Sequence, residues 1–136
     1  MILLVSVLAA FATWQVTGGP EQKVQCKSSE LKSGYICFSD AKELPGVVWV
    51  DARERNLWEK NGFSGSIFLT DHPSEDFPTL MAEAFESLAM AEFVVVYCAT
   101  EGCGSSEPIA EKIKELGLLP EENVYVLSGG WKALNN

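Results

Sequence analysis

Two cysteines in the stretch "FVVVYCATEGCGSSEPIAEKI", residues 93–113, are the residues best placed to do chemistry. Cys98 closes an apolar, β-rich run. Ala99, Thr100, Glu101, Gly102, Cys103, Gly104, Ser105 and Ser106 then lead into a helical segment whose Pro108 is tolerable only in a first turn. A loop of this kind presents successive backbone N–H groups, and the helix adds the positive end of its dipole. Gly102 and Gly104 let the backbone curl around an anion at little steric cost. A thiol held there is favoured as the thiolate, the nucleophilic form. The bland reading is a strand-end cysteine that packs as a small hydrophobe. Cys98 and Cys103 also resemble half of a zinc site, but no second Cys/His pair stands at ligand spacing, so no metal is expected. No cofactor is expected either.

The elements that must position this loop alternate in type. Tyr35–Phe38, Val47–Asp51, Ser66–Leu69, residues 92–98 and Asn123–Leu127 read as strands. Between them, Ser39 is placed to cap a brief helix to Leu44, Glu54–Lys60 suits one or two turns, and Ser105–Leu116 carries an apolar face of Ile109, Ala110, Ile113 and Leu116. Phe77–Met90 sets Phe77, Leu80, Met81, Ala84, Phe85 and Leu88 at helical spacing, a core-facing stripe. Alternating strands and helices imply an α/β domain, an open parallel five-stranded sheet with helices on both faces. Residues 92–98 are the most apolar strand and the expected centre. In such sheets ligands bind beyond the carboxyl ends of central strands, where Cys98 falls.

The chain is long enough, at 136 residues, for one domain with an ordinary core. Its net charge of -9 leaves no basic stripe to neutralise phosphates, which argues against nucleic acid. The same charge repels an anionic substrate unless the site is locally positive. Cys26, Cys37, Cys98 and Cys103 allow two pairs of near neighbours, Cys26–Cys37 and Cys98–Cys103, and the sequence leaves both open. Residues 1–16 are apolar apart from Ser6, Thr13 and Gln15, short for a spanning helix, and no basic residue precedes Lys23. They read as a membrane anchor, with a signal peptide or a helix buried on the domain as alternatives. Lys23, Lys27 and Lys32 after the segment favour a cytoplasmic domain by the positive-inside rule, whereas a signal peptide would make it secreted or periplasmic. The side of the membrane stays open. Residues 17–34 read as a linker and 35–136 as the domain.

Three motifs in order carry a resemblance over about three quarters of the chain. "VVWVDARERNLWEKNGFSGSIFL" is similar to the rhodanese-like family's strand, Asp-x-Arg and Gly-rich run; "FVVVYC" with its loop resembles the catalytic strand; "NVYVLSGGWKAL" resembles the closing strand and Gly-Gly signature. The resemblance implies the rhodanese-like fold and a sulfurtransferase that carries sulfane sulfur as a persulfide on Cys98. It implies a small sulfur donor or persulfide protein and a thiol acceptor as partners. Asp51 and Arg53 match the Asp-x-Arg, here read as a part-buried pair that orders the loops. The departures are specific. Gly62 and Ser64 stand where His and Pro are usual, and Leu134 replaces the closing Trp. Cys103 occupies the usual loop-arginine position, as in a membrane-associated bacterial variety where a second cysteine and a later serine, here Ser106, replace the arginine. Two other functions stay open: a redox or sensing protein that cycles Cys98–Cys103, and a non-catalytic binding module. His72, the sole histidine, reads as a surface residue, Glu101 as facing solvent, and Trp49, Trp58 and Trp131 as core or rim packing.

Overall fold

The computed structural model describes residues 26–100 and 104–135. The expected anchor at residues 1–16, and Glu101, Gly102 and Cys103, lie outside the described residues. Among the described residues no helix is long and apolar enough to cross a membrane.

Five strands form one parallel sheet: β1 (Tyr35–Ile36), β2 (Val47–Asp51), β3 (Ile67–Phe68), β4 (Phe93–Tyr97) and β5 (Val124–Leu127). Their order is β1-β5-β4-β2-β3, so β4 is central, flanked by β2 and β5. Among the described residues the α-helices that connect them are α1 (Phe38–Ala41), α2 (Arg55–Asn61), α3 (Phe77–Met90) and α4 (Ser106–Glu115). A closing 3-10 segment spans Gly130–Asn135.

Strand alternation divides the core into two layers. Val94 and Val96 of β4 join Val50, Leu80, Ala84 and Leu88 of α3, and Ile109, Ala110 and Ile113 of α4 on one face. Val95 and Tyr97 join Ile36, Ala41, Trp49 and Leu127 on the other, with Trp131, Ala133 and Leu134 of the closing segment packed on them. This is the doubly covered sheet that the apolar strand runs require.

Local boundaries differ from the expectation at several points. The first strand stops at Ile36, and α1 begins at Phe38 with Cys37 as its N-cap, so Ser39 lies inside the helix rather than capping it. Cys37 is bonded to Cys26, with 5.7 Å between their Cα atoms. A disulfide closing a loop of this size stabilises by about 3 kcal/mol. It ties the segment expected to be a linker to the edge of the sheet, where β1 contributes only two residues of ladder. On α3, Leu80, Ala84 and Leu88 are buried, whereas Phe85 is 48% exposed and Met90 78%. The stripe expected to bury Phe85 is narrower than its apolar content, because Phe85 lies on the flank of the buried ridge.

Candidate functional site

β4 and β2 set the floor of the site at the carboxyl edge of the sheet. Their register runs from Val47 opposite Phe93 to Asp51 opposite Tyr97, and Ala52 N–H then donates to the Tyr97 carbonyl at 2.9 Å. Cys98 and Arg53 therefore leave adjacent strands side by side. Cys98 is 4% exposed and disulfide-bonded.

The fold brings Asp51 and Arg53 together completely. Asp51 is fully buried and Arg53 is 5% exposed. Arg53 Nε donates to both Asp51 carboxylate oxygens at 3.0 and 3.1 Å, and Nη2 donates to Oδ2 at 2.8 Å. Its Nη1 donates to Asn61 Oδ1 at 3.0 Å and its Nη2 also to the Leu57 carbonyl at 3.3 Å. A planar fork so occupied is an anchor for the β2–α2 turn and for the end of α2. The guanidinium lies 5.6 Å from the Tyr97 ring centroid and 5.3 Å from that of Trp131.

Tyr97, which the sequence pattern marks only as a strand residue, completes this cluster. Its hydroxyl donates to Asp51 Oδ2 at 2.8 Å and accepts the Phe63 N–H at 2.9 Å. Burial, foremost, pushes its phenol up to about 12 from the ordinary 10.0, and the Asp51 charge adds to the rise. Because the folded-state value lies above the ordinary one, the fold stabilises the neutral phenol. That contribution is whole below pH 10 and is lost as pH rises through about 12. We therefore expect the melting temperature to fall across that window, and to fall less steeply in Tyr97→Phe. A wild-type profile flat from pH 10 to 12 would contradict this assignment.

The closing turn after β5 meets the Cys98 loop directly. Trp131 N–H donates to the Cys98 carbonyl at 2.6 Å, and the Trp131 indole Nε1 donates to the Asn61 carbonyl at 3.3 Å. Gly130 adopts φ +63°, and a Cβ there would stand 2.6 Å from the Cys98 carbonyl oxygen and 3.0 Å from Thr100 Cα. Gly130→Ala is thus expected to cost about 1–2 kcal/mol for the left-handed backbone alone, and to displace the loop as well. Gly65, at φ +79° and with nothing within 4 Å of where a Cβ would stand, is the matched control. Thiol labelling of Cys98 after reduction should change in Gly130→Ala and not in Gly65→Ala; equal rates in both would show that Gly130 does not shape the loop.

Of the remaining loop residues, Ala99 and Ser105 are half-buried, while Thr100 and Gly104 are exposed, Gly104 at φ +82°. Ser106 is 5% exposed and is the first residue of α4. His72 is exposed, its Nδ1 2.7 Å from Ser74 Oγ and its Nε2 3.7 Å from Glu54, on a turn that joins none of the cluster above. Sequence reasoning missed Asn61, Tyr97 and Gly130, and read Trp131 only as packing. The available signal was positional: a Gly-Gly-Trp run that follows the strand beside β4 must cross the same sheet edge as Cys98.

The family model for the rhodanese-like domain matches residues 37–136. The chain belongs to the rhodanese-like family. Two solved structures share its fold. One is the N-terminal domain of a putative ATP/GTP binding protein from Clostridium difficile 630, at TM-score 0.57 and 23% identity, covering 75% of this chain and 96% of that one. The other is the BH2092 protein from Bacillus halodurans, at TM-score 0.57 and 19% identity, covering 76% of this chain and 74% of that one. At these identities the likeness concerns fold alone. No curated protein matches the chain. For this rhodanese-like domain the parallel five-stranded sheet and its central β4, which ends beside Cys98, agree with the expectation drawn from the sequence.

Proposed function

We propose that this rhodanese-like domain is a sulfurtransferase that takes up sulfane sulfur on Cys98 and resolves it through a disulfide. The observation that carries the reading is Cys98 itself, disulfide-bonded at the carboxyl end of the central strand and followed by a loop without arginine through Ser106. We assign Cys103, five residues after Cys98 in the same loop, as the resolving cysteine.

The cycle begins with reduction of the Cys98–Cys103 disulfide by an external dithiol, which becomes a disulfide in turn. Cys98 thiolate attacks the outer sulfur of a persulfide donor, the donor's S–S bond breaks, and its thiolate leaves. The loop amides and the α4 N-terminus stabilise the leaving thiolate and the Cys98 persulfide, and the Ser106 hydroxyl offers a further donor there. A thiol acceptor then attacks the outer sulfur, and Cys98 thiolate is released. Where no acceptor is present, Cys103 thiolate attacks the Cys98 sulfur; hydrosulfide leaves and the disulfide re-forms.

Donor choice follows from charge. Arg53 is committed to Asp51, Asn61 and the Leu57 carbonyl, so the loop meets an anion with amides and hydroxyls alone. Each charge-assisted hydrogen bond forgone costs about 1.5–3 kcal/mol, or one to two powers of ten. Thiocyanate release in the presence of cyanide should therefore be weak from thiosulfate and stronger from a neutral or protein-bound persulfide. Cys103→Arg should raise the thiosulfate rate and abolish the disulfide. Efficient thiosulfate turnover by the wild type, unchanged in Cys103→Arg, would sink the charge argument.

A second reading, a thiol–disulfide protein that moves no sulfur, is favoured by the same disulfide-bonded Cys98. Persulfide loading separates the two. The Cys26–Cys37 bond supports placing the domain on an oxidising side of a membrane, held there by residues 1–16.

A further inference from the structure

We propose that Trp131 is the positioning residue of the Cys98 loop: it couples the fixed Asp51–Arg53–Asn61 cluster to the Cys98 carbonyl and so sets how readily the Cys98 disulfide opens. The proposal deepens the reading above, since it concerns the same loop, but its test needs no sulfur transfer.

The loop has no arginine of its own from Ala99 to Ser106, so no guanidinium within it ties its backbone to the rest of the edge. Arg53, on the turn after β2, is a charge held rigidly, and its hydrogen bonds go to Asp51, Asn61 and Leu57. Trp131 bridges the gap from three directions. Its ring lies 5.3 Å from the guanidinium carbon, which is also 5.6 Å from the Tyr97 ring on the strand that bears Cys98. Its indole N–H reaches the Asn61 carbonyl at 3.3 Å, while the Asn61 side chain holds Arg53 Nη1 at 3.0 Å. Its backbone N–H then holds the Cys98 carbonyl at 2.6 Å, beside Gly130, where an added Cβ would run into Cys98 and Thr100. Asn61 thus grips both the cation and the indole, and the turn has little freedom to rotate away from Cys98.

A clamp on the Cys98 carbonyl fixes the backbone that carries Sγ. Fixing one thiol relative to another raises their effective concentration and favours the disulfide over the two thiols. Removing the ring leaves the backbone N–H in place chemically but frees the turn that aims it. The ring is the part that substitution can test.

The test is a redox titration of the full chain in dithiothreitol buffers, with alkylation of free thiols and mass-spectrometric readout of the Cys98 and Cys37 peptides separately. Each disulfide is opened by two electrons from the dithiol, which is oxidised to its cyclic disulfide. Trp131→Ala is expected to make the Cys98 disulfide about tenfold easier to reduce, about 30 mV for this couple, with the Cys26–Cys37 equilibrium unchanged. Trp131→Phe, which keeps a ring over Arg53, should stay within about threefold of the wild type. Should Trp131→Ala fail to fold, Trp131→Leu fills the space without a π face and carries the same expectation. An unchanged Cys98 equilibrium overturns the proposal. So does an equal shift of both disulfides, which would report general loosening, and so does a Phe variant as reducible as the Ala or Leu one.

Discussion

Cys98→Ser is expected to abolish persulfide loading of the full chain, whatever the donor. A hydroxyl at the end of β4 occupies the same 4%-exposed position, yet oxygen cannot hold sulfane sulfur as a stable adduct. The substitution also removes the Cys98 disulfide, while Cys26–Cys37 and the core around Val94 and Val96 keep their contacts. Folding should therefore persist, and circular dichroism before and after substitution checks that loss of loading is chemical. Loading retained in Cys98→Ser and mapped to Cys103 would show that the nucleophile lies on the other cysteine.

The largest expected effect on stability comes from Arg53→Met. Asp51 is fully buried, and in the wild type its two oxygens receive Arg53 Nε and Nη2 as well as the Tyr97 hydroxyl. Removing the guanidinium leaves a buried carboxylate with its main counter-charge gone, which costs about 3–5 kcal/mol. For a chain of this length that lowers the melting temperature by about 10–20 °C. Asp51→Asn combined with Arg53→Met removes both charges and should recover a substantial part of the loss. If thermal unfolding instead shows less than about 1 kcal/mol for Arg53→Met alone, the pair behaves as a surface ion pair and the anchor assigned to it is wrong.

The sheet was legible because the strands are apolar runs, four of them opened by a nearby Gly or Asn (Gly34, Gly46, Gly65 and Asn123), and because strands and helices alternate. Val47–Asp51 is recovered residue for residue, and the central strand differs only in its ends. Strand order was not in the periodicity, which marks residues 92–98 as the centre of the sheet but does not say which strands flank it. The start of α1 was misplaced because Ser39 has better intrinsic capping chemistry than Cys37. What decides it is a long-range bond to Cys26 and the end of the β1–β5 ladder at Ile36, neither of which is local. Phe85 was drawn into the core by spacing alone, which sees that a helix has an apolar face but not how wide a strip the sheet covers. At the site, Asp51 and Arg53 were readable as a pair through their resemblance to the family's Asp-x-Arg. The Trp131 bond to the Cys98 carbonyl was not, since it joins positions far apart in sequence through a backbone group that nearly every residue carries.

The central claim, that Cys98 carries sulfane sulfur, is most directly tested by intact mass spectrometry. The full chain is reduced, freed of reductant and incubated with a glutathione persulfide donor, and the product is digested to locate the adduct. The account predicts a gain of one sulfur atom on the Cys98 peptide, discharged by cyanide as thiocyanate and absent from Cys98→Ser. A chain that returns to the disulfide without ever gaining sulfur, or that gains it on another residue, would contradict it.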